Sequence, residues 1–284
     1  LYGEVEGLGT QAVRRAYGFQ RIPLFDTTVG KPRRVRILKR TEPQVGTVVF
    51  TALRLDGGTL LHTTPLQGPR LLIVGDSITA GYGNVGAGPQ CYFTPATEAG
   101  EQSWGYLVAQ QLGGEALIAA FSGKGVYRNR DVTDPLTMPS LYDRVDAFDE
   151  TSAEPFSTVD AVLVNLGTND FAFANPPAEG FIASFTAYVA TLRTSFPNAP
   201  ILLISGPMMT DEYPTGNAAR TTLRQYLEAV VSRRQQSGDK KISFLELPVQ
   251  DTNGPLGCDF HPHEQVHRAM ATTISEELRA RLGN

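Results

Sequence analysis

From Leu71 to the C-terminus the chain alternates short apolar runs with amphipathic stretches, and that alternation restricts the fold more than any other feature. The apolar runs lie at 71–74, 116–121, 159–165, 201–205 and 242–247. The amphipathic stretches lie at 103–112, 178–196, 218–236 and 264–282. Apolar strands joined by helical crossovers predict a doubly wound parallel sheet, because strands buried on both faces read as continuous apolar runs. The expected class is α/β, with three α/β/α layers around a five-stranded parallel sheet. At 284 residues, 41% hydrophobic and 19% charged, the chain is long and apolar enough to bury such a core.

The preceding stretch has a different texture. Val35 to Arg40 alternates in polarity, as does Val48 to Leu55, and Gly57-Gly58 makes a turn before Thr59-Leu60-Leu61. Residues 63–70, with Pro65, Gly68 and Pro69, read as a linker. The expected organisation is a small β-rich accessory domain over 1–66, then the α/β domain over 67–284.

A net charge of -4 leaves no electrostatic footprint for nucleic acid or an anionic membrane. No apolar run approaches the ~20 residues that span a bilayer. Neither nucleic acid nor membrane is therefore an expected partner. The chain begins at Leu1 without a signal-peptide pattern and reads as a mature or trimmed chain rather than a full precursor. It has two cysteines, Cys91 and Cys258, which are a disulfide pair if the protein is secreted and two buried thiols otherwise.

In open α/β sheets, ligands bind beyond the carboxyl ends of the strands. The loops there are Gly75-Asp76-Ser77, Ser122-Gly123-Lys124-Gly125, Gly167-Thr168-Asn169-Asp170, Gly206-Pro207 and Gly257-Cys258-Asp259-Phe260-His261. Ser77 sits on a strand-to-helix turn, where a hydroxyl is exposed as a nucleophile if a base takes its proton. Of the four histidines, His62 lies before the linker, whereas His261 lies in a rim loop. Asp259, two residues earlier, is the candidate acid to orient that imidazole. Acyl transfer also needs donors aimed at an oxyanion, and the Ser77 N–H, the Gly123 N–H and the Asn169 amide come from neighbouring strand ends.

A competing motif is His263-Glu264-Gln265-Val266-His267, which fits the H-E-x-x-H zinc pattern. A catalytic zinc needs a third protein ligand. Glu276 and Glu277 follow on the same predicted helix, and Glu276 is about 13 Å along it from His267, too far to close a site. No metal or cofactor is expected.

Gly75-Asp76-Ser77-Ile78, Ser122-Gly123, Gly167-Thr168-Asn169-Asp170 and His261-Pro262 resemble, in order, the blocks of the SGNH/GDSL hydrolases. The resemblance implies Ser77 as nucleophile, His261 as base, and Ser77, Gly123 and Asn169 as oxyanion donors. Where that superfamily usually has two residues between acid and base, only Phe260 intervenes here. The shorter spacing is similar to carbohydrate esterase family 2, as are Lys39-Arg40-Thr41-Glu42, Gly81-Tyr82-Gly83-Asn84 and Ser122-Gly123-Lys124-Gly125.

That likeness implies a jelly-roll-like domain before the hydrolase domain and removal of acetyl groups from plant cell-wall polysaccharides such as xylan and glucomannan. It allows either a triad with Asp259 or a Ser–His dyad. An acetylated oligo- or polysaccharide is then the expected partner, and a secreted or extracytoplasmic location follows. Tyr82, Tyr92, Phe93, Tyr127, Phe171, Phe173 and Phe260 sit in or beside the rim loops, and Phe260, Asp76, Tyr127 and Phe171 are the expected substrate contacts. The rival readings are a lipase or thioesterase, a non-catalytic carbohydrate binder, and a zinc hydrolase.

Overall fold

Leu71-Leu72-Ile73-Val74 carries no polar side chain, so the strand it forms must be covered on both faces. The computed structural model, which describes residues 2–5, 9–12, 32, 34–62, 66–154 and 158–283, provides both covers. Near the N-terminus lie β1 (Tyr2–Val5), β2 (Gly9–Ala12) and β3 (Val35–Leu38). The strands that follow are β4 (Arg70–Gly75), β5 (Glu115–Ala120), β6 (Ala161–Asn165), β7 (Ile201–Ser205) and β8 (Ile242–Glu246). They make one five-stranded sheet in the order β5-β4-β6-β7-β8, parallel throughout. The helices are α1 (Ser77–Ala80), α2 (Trp104–Gln111), α3 (Ala178–Ser195), α4 (Ala219–Gln236) and α5 (Glu264–Leu282).

Side chains alternate across each strand, and the two faces build two cores. Leu72, Val74, Val162, Val164 and Leu203 pack with Phe181, Phe185 and Leu192 of α3 and with Leu223 and Leu227 of α4. Leu71, Ile73, Leu163, Leu202 and Ile204 pack with Trp104 and Val108 of α2 and with Met270, Ile274 and Leu278 of α5. The three-layer α/β/α arrangement read from the sequence is the one observed. The strand order jumps between β4 and β6, so the loops after β4, β5 and β6 meet above one point of the sheet edge.

The first part of the chain departs from expectation. β1 pairs antiparallel with β2 and with β3, giving a three-stranded sheet in the order β2-β1-β3. The alternating segment 48–55 does not become a strand: among the described residues it pairs with nothing, and Val49 and Phe50 are exposed. Alternation produces a strand only where a neighbouring edge supplies hydrogen bonds and a core takes the apolar face. Residues 63–65 of the expected linker and most of 1–31 lie outside the described residues. A strap over residues 39–46 lies on the 98–101 and 121–122 segments. The Arg40 Nε donates to the Glu98 carbonyl at 2.8 Å, and the Gly100 N–H donates to the Arg40 carbonyl at 2.9 Å.

Leu163 lies at the centre of the sheet with no solvent exposure. Leu163→Ala is expected to destabilise the chain by about 2–5 kcal/mol, read from urea unfolding midpoints. A change under about 1 kcal/mol would contradict its place in the core.

Candidate active site

The serine turn is built by capping. Asp76 precedes α1, and its Oδ1 accepts the Ile78 N–H at 3.0 Å, so the helix starts at Ser77 and its hydroxyl projects from the first turn. The second carboxylate oxygen of Asp76 accepts from the Asn169 amide at 3.2 Å, which ties the loop after β6 to the serine turn. Asp76 has no solvent contact, and burial pushes its carboxyl up to about 7. It is a scaffold of the site. The expectation that it binds substrate is corrected by this burial.

His261 arrives on a loop held in place from several directions. Cys91 and Cys258 form a disulfide, which settles the alternative left open by the sequence. A side chain on Gly86 would overlap both sulfur atoms, so a residue without Cβ is required there. The Cys258 N–H donates to the Gly83 carbonyl at 3.0 Å, the Asp259 N–H to the Cys91 carbonyl at 3.2 Å, and the Glu264 N–H to the Asn84 carbonyl at 3.0 Å. Asn84 is itself fixed by two 2.9 Å bonds to the backbone of Ala99. The outcome is one short distance: His261 Nε2 lies 2.9 Å from Ser77 Oγ.

The other ring nitrogen decides the tautomer. His261 Nδ1 lies 3.2 Å from the carbonyl oxygens of both Cys258 and Asp259. Carbonyls only accept, so the proton belongs on Nδ1 and Nε2 is left free to accept from the serine hydroxyl. Asp259 does not take the place that its spacing predicts. Its carboxylate accepts instead from the Tyr82 hydroxyl at 2.8 Å. The physical reason is local: Asp259 has φ 50° and Phe260 φ 62°, and two successive left-handed residues turn the Asp259 side chain toward Tyr82. The Tyr82 ring lies over the imidazole with centroids 4.2 Å apart, and stacks on Phe93 at 4.4 Å.

Gly123 has φ 80° with open space where a Cβ would stand, so its glycine serves backbone conformation rather than packing. The Asn169 amide donates to the Lys124 carbonyl at 2.9 Å as well as to Asp76, and these two bonds occupy both of its hydrogens. Sequence reasoning missed a heavily bonded acid of the rim. Asp170 is buried, and its carboxylate accepts the N–H groups of Val126, Tyr127 and Arg128 at 2.8–3.1 Å, folding the loop after Gly123 around itself. Burial raises its carboxyl to about 6 against those hydrogen bonds. Only its place beside Asn169 in a rim loop marked it in the sequence.

The aromatic expectations divide. Phe171 is 1% exposed and packs edge-on against Phe181, so its assignment to substrate is corrected: it belongs to the core. Tyr127 rests its ring against Gly180 in the first turn of α3. Phe260 and Phe173 are both exposed, at 53% and 62%. Phe173 lies under the Arg130 guanidinium at 5.9 Å and helps line an open groove of about 440 Å³ that runs from Gly123 past Gln44, Lys124 and Asp131.

The zinc motif has other work. His263 caps α5, its Nδ1 accepting the Gln265 N–H at 3.4 Å. His267 is buried, its Nδ1 accepting the Trp104 N–H at 3.1 Å, and burial pushes it down to about 3. Among the described residues no three His, Cys, Asp or Glu side chains gather as a metal site, and no helix is long and apolar enough to cross a membrane.

Burial of the His261 ring holds its pKa down at about 4, outweighing the two carbonyl hydrogen bonds that favour the cation. The sign is that of a base kept neutral: above about pH 4 the ring accepts a proton, and below it that capacity is lost. A histidine NMR titration is expected to place the His261 midpoint near 4. A midpoint at the ordinary 6.5 would contradict the packing described.

Residues 73–269 match the model of the GDSL-like Lipase/Acylhydrolase family. The chain is 32% identical to Cellulase/esterase CelE of Acetivibrio thermocellus over 86% of its own length, spanning about 30% of that protein. It is 26% identical to an Acetylxylan esterase / glucomannan deacetylase of Cellvibrio japonicus over 92% of its length, spanning 70% of that relative. Among solved structures it resembles a carbohydrate esterase family 2 enzyme plus carbohydrate binding domain from Corynascus thermopiles (Myceliophthora fergusii), with TM-score 0.86, 30% identity, and coverage of 99% of this chain and 86% of that one. A family two carbohydrate esterase from Clostridium thermocellum, solved with cellohexaose, matches with TM-score 0.74 and 29% identity over 79% of this chain and 67% of that one. The chain therefore belongs to the GDSL-like lipase/acylhydrolase family, and the solved structures it resembles include carbohydrate esterases of family 2.

Proposed function

We propose that the chain is a serine esterase that removes O-acetyl groups from carbohydrate, with plant cell-wall polysaccharide such as xylan or glucomannan as its substrate class. The 2.9 Å contact between Ser77 Oγ and His261 Nε2 carries the reading. His261 takes the hydroxyl proton as Ser77 attacks the acetyl carbonyl, and returns it to the departing sugar hydroxyl. Water repeats the cycle on the acetyl-enzyme. The carbonyls of Cys258 and Asp259 do the work a third acid does elsewhere: they fix the ring and share the charge of the imidazolium at Nδ1. The face of Tyr82 favours the same cation.

The oxyanion is held by the N–H groups of Ser77 and Gly123. Asn169 joins them by exchanging its longer bond, 3.2 Å to Asp76, for the developing charge. The names of the relatives, one an acetylxylan esterase / glucomannan deacetylase and one seen with cellohexaose, support carbohydrate as the leaving group. So does the open groove beside Gly123, with Arg130 and Phe173 on its wall. The disulfide suits an oxidising, extracytoplasmic setting.

Ser77→Ala is expected to abolish hydrolysis of 4-nitrophenyl acetate and acetate release from acetylated xylan while the circular dichroism spectrum is unchanged. Acetyl esters are expected to turn over much faster than octanoyl esters. An active alanine variant would remove the mechanism, and faster octanoyl turnover would redirect the substrate class to lipids or thioesters.

A further inference from the structure

The strap that crosses the rim contains an acid the mechanism above does not use. Glu42 is buried, and both of its carboxylate oxygens are directed at one residue: Oε2 accepts the Ser122 N–H at 2.6 Å and Oε1 accepts the Ser122 Oγ at 2.6 Å. Two residues on, the Gln44 amide donates to the Ser122 carbonyl at 3.1 Å and to Glu42 Oε2 at 3.2 Å. Every polar group of Ser122 is thereby held by the strap.

The consequence lies in the next peptide unit. The Ser122 carbonyl and the Gly123 N–H belong to one rigid plane and point in opposite directions. Holding the carbonyl with Gln44 fixes the direction of that N–H, and Glu42 fixes the residue from which the plane is hung. At φ 80°, Gly123 has no side chain to restrain its own conformation. The far side of the loop is pinned by the Arg130 N–H, which donates to the Gly123 carbonyl at 2.8 Å. A hydrogen bond to the carbonyl also polarises the peptide and makes its N–H a better donor.

The strap is anchored in turn. Lys39 Nζ donates to the Glu42 carbonyl at 3.0 Å, and the Glu42 N–H donates to the carboxylate of buried Glu98 at 3.3 Å. A buried carboxylate without a required task is costly, and an apolar residue would seal the strap as well. The geometry points to a positioning role: we propose that Glu42 and Gln44, which lie outside the region matched by the family model, orient the Ser122–Gly123 peptide so that its N–H meets the oxyanion. The proposal rests on the reading of Ser77 and Gly123 given above.

The test uses the full chain with 4-nitrophenyl acetate and a phenylboronic acid, which forms a tetrahedral adduct with a nucleophilic serine. Glu42→Ala is expected to lower kcat by about 10–100-fold with little change in KM, less than the 10²–10³-fold cost of deleting an oxyanion donor outright. Boronate affinity is expected to fall by a similar factor. Glu42→Gln, which can still accept from the Ser122 N–H and donate to its hydroxyl, is expected to stay within about threefold of the parent. Gln44→Ala alters an exposed side chain, so its expected severalfold loss in kcat provides the test even if Glu42→Ala fails to fold.

An unchanged kcat in Gln44→Ala, or losses in Glu42→Gln as large as in Glu42→Ala, would overturn the positioning role. Ser77→Ala separates the two claims. Its retained activity would remove the site reading itself, whereas an inactive Ser77→Ala beside a fully active Glu42→Ala would remove only this inference.

Discussion

The chemistry of this chain depends on a short irregular loop being tied to the segment that follows the nucleophile. Residues 257–263 contain only one turn of 3-10 helix, so nothing intrinsic to them specifies where the His261 ring lies. The Cys91–Cys258 disulfide closes a sequence separation of 167 residues, worth about 5 kcal/mol in the chain-entropy account. The backbone bonds from Cys258 to Gly83 and from Glu264 to Asn84 then fix the loop's height and direction. Because Gly83 and Asn84 follow directly on α1, the serine and the histidine share one foundation, and the 2.9 Å contact between them is an outcome of that sharing.

Around that pair the site solves its electrostatics with backbone dipoles. Two carbonyls orient the imidazole, and in the proposed mechanism two N–H groups meet the oxyanion. The ionisable groups nearby mainly position loops: Asp76 starts α1 and holds Asn169, Asp170 gathers the loop after Gly123, and Glu42 holds Ser122. Burial raises the pKa values of all three carboxyls, against the hydrogen bonds that each accepts. Dipoles fixed by covalent geometry need no counter-ion and no rearrangement as charge moves from serine to oxyanion.

The sheet was legible because strands covered on both faces leave a signal that no other element leaves, and the rim loops followed from topology. Ser77 and His261, which lie 2.9 Å apart, and Asn169, tied to the serine turn through Asp76, were read from those rim loops. The misreadings come from quantities a sequence does not display. The spacing of Asp259 and His261 suggests an acid–base pair, but the sign of φ at Asp259 and Phe260 turns the carboxylate to Tyr82. Phe171 and Phe173 are two residues apart in one loop, and only the turn's direction makes one core and the other surface. Glu42 lies 80 residues from the serine it holds, with no periodicity to relate them. The alternation at 48–55 was a real pattern without a partner edge among the described residues.

Main-chain carbonyls, not a carboxylate, hold the His261 imidazole beside Ser77. The most direct measurement is kcat/KM for 4-nitrophenyl acetate in Asp259→Asn. The Asn amide can keep a hydrogen bond to Tyr82, and Nδ1 keeps both carbonyls, so activity within about tenfold of the parent is expected. A loss approaching the ~10⁴-fold seen when the acid of a true triad is neutralised would contradict the account.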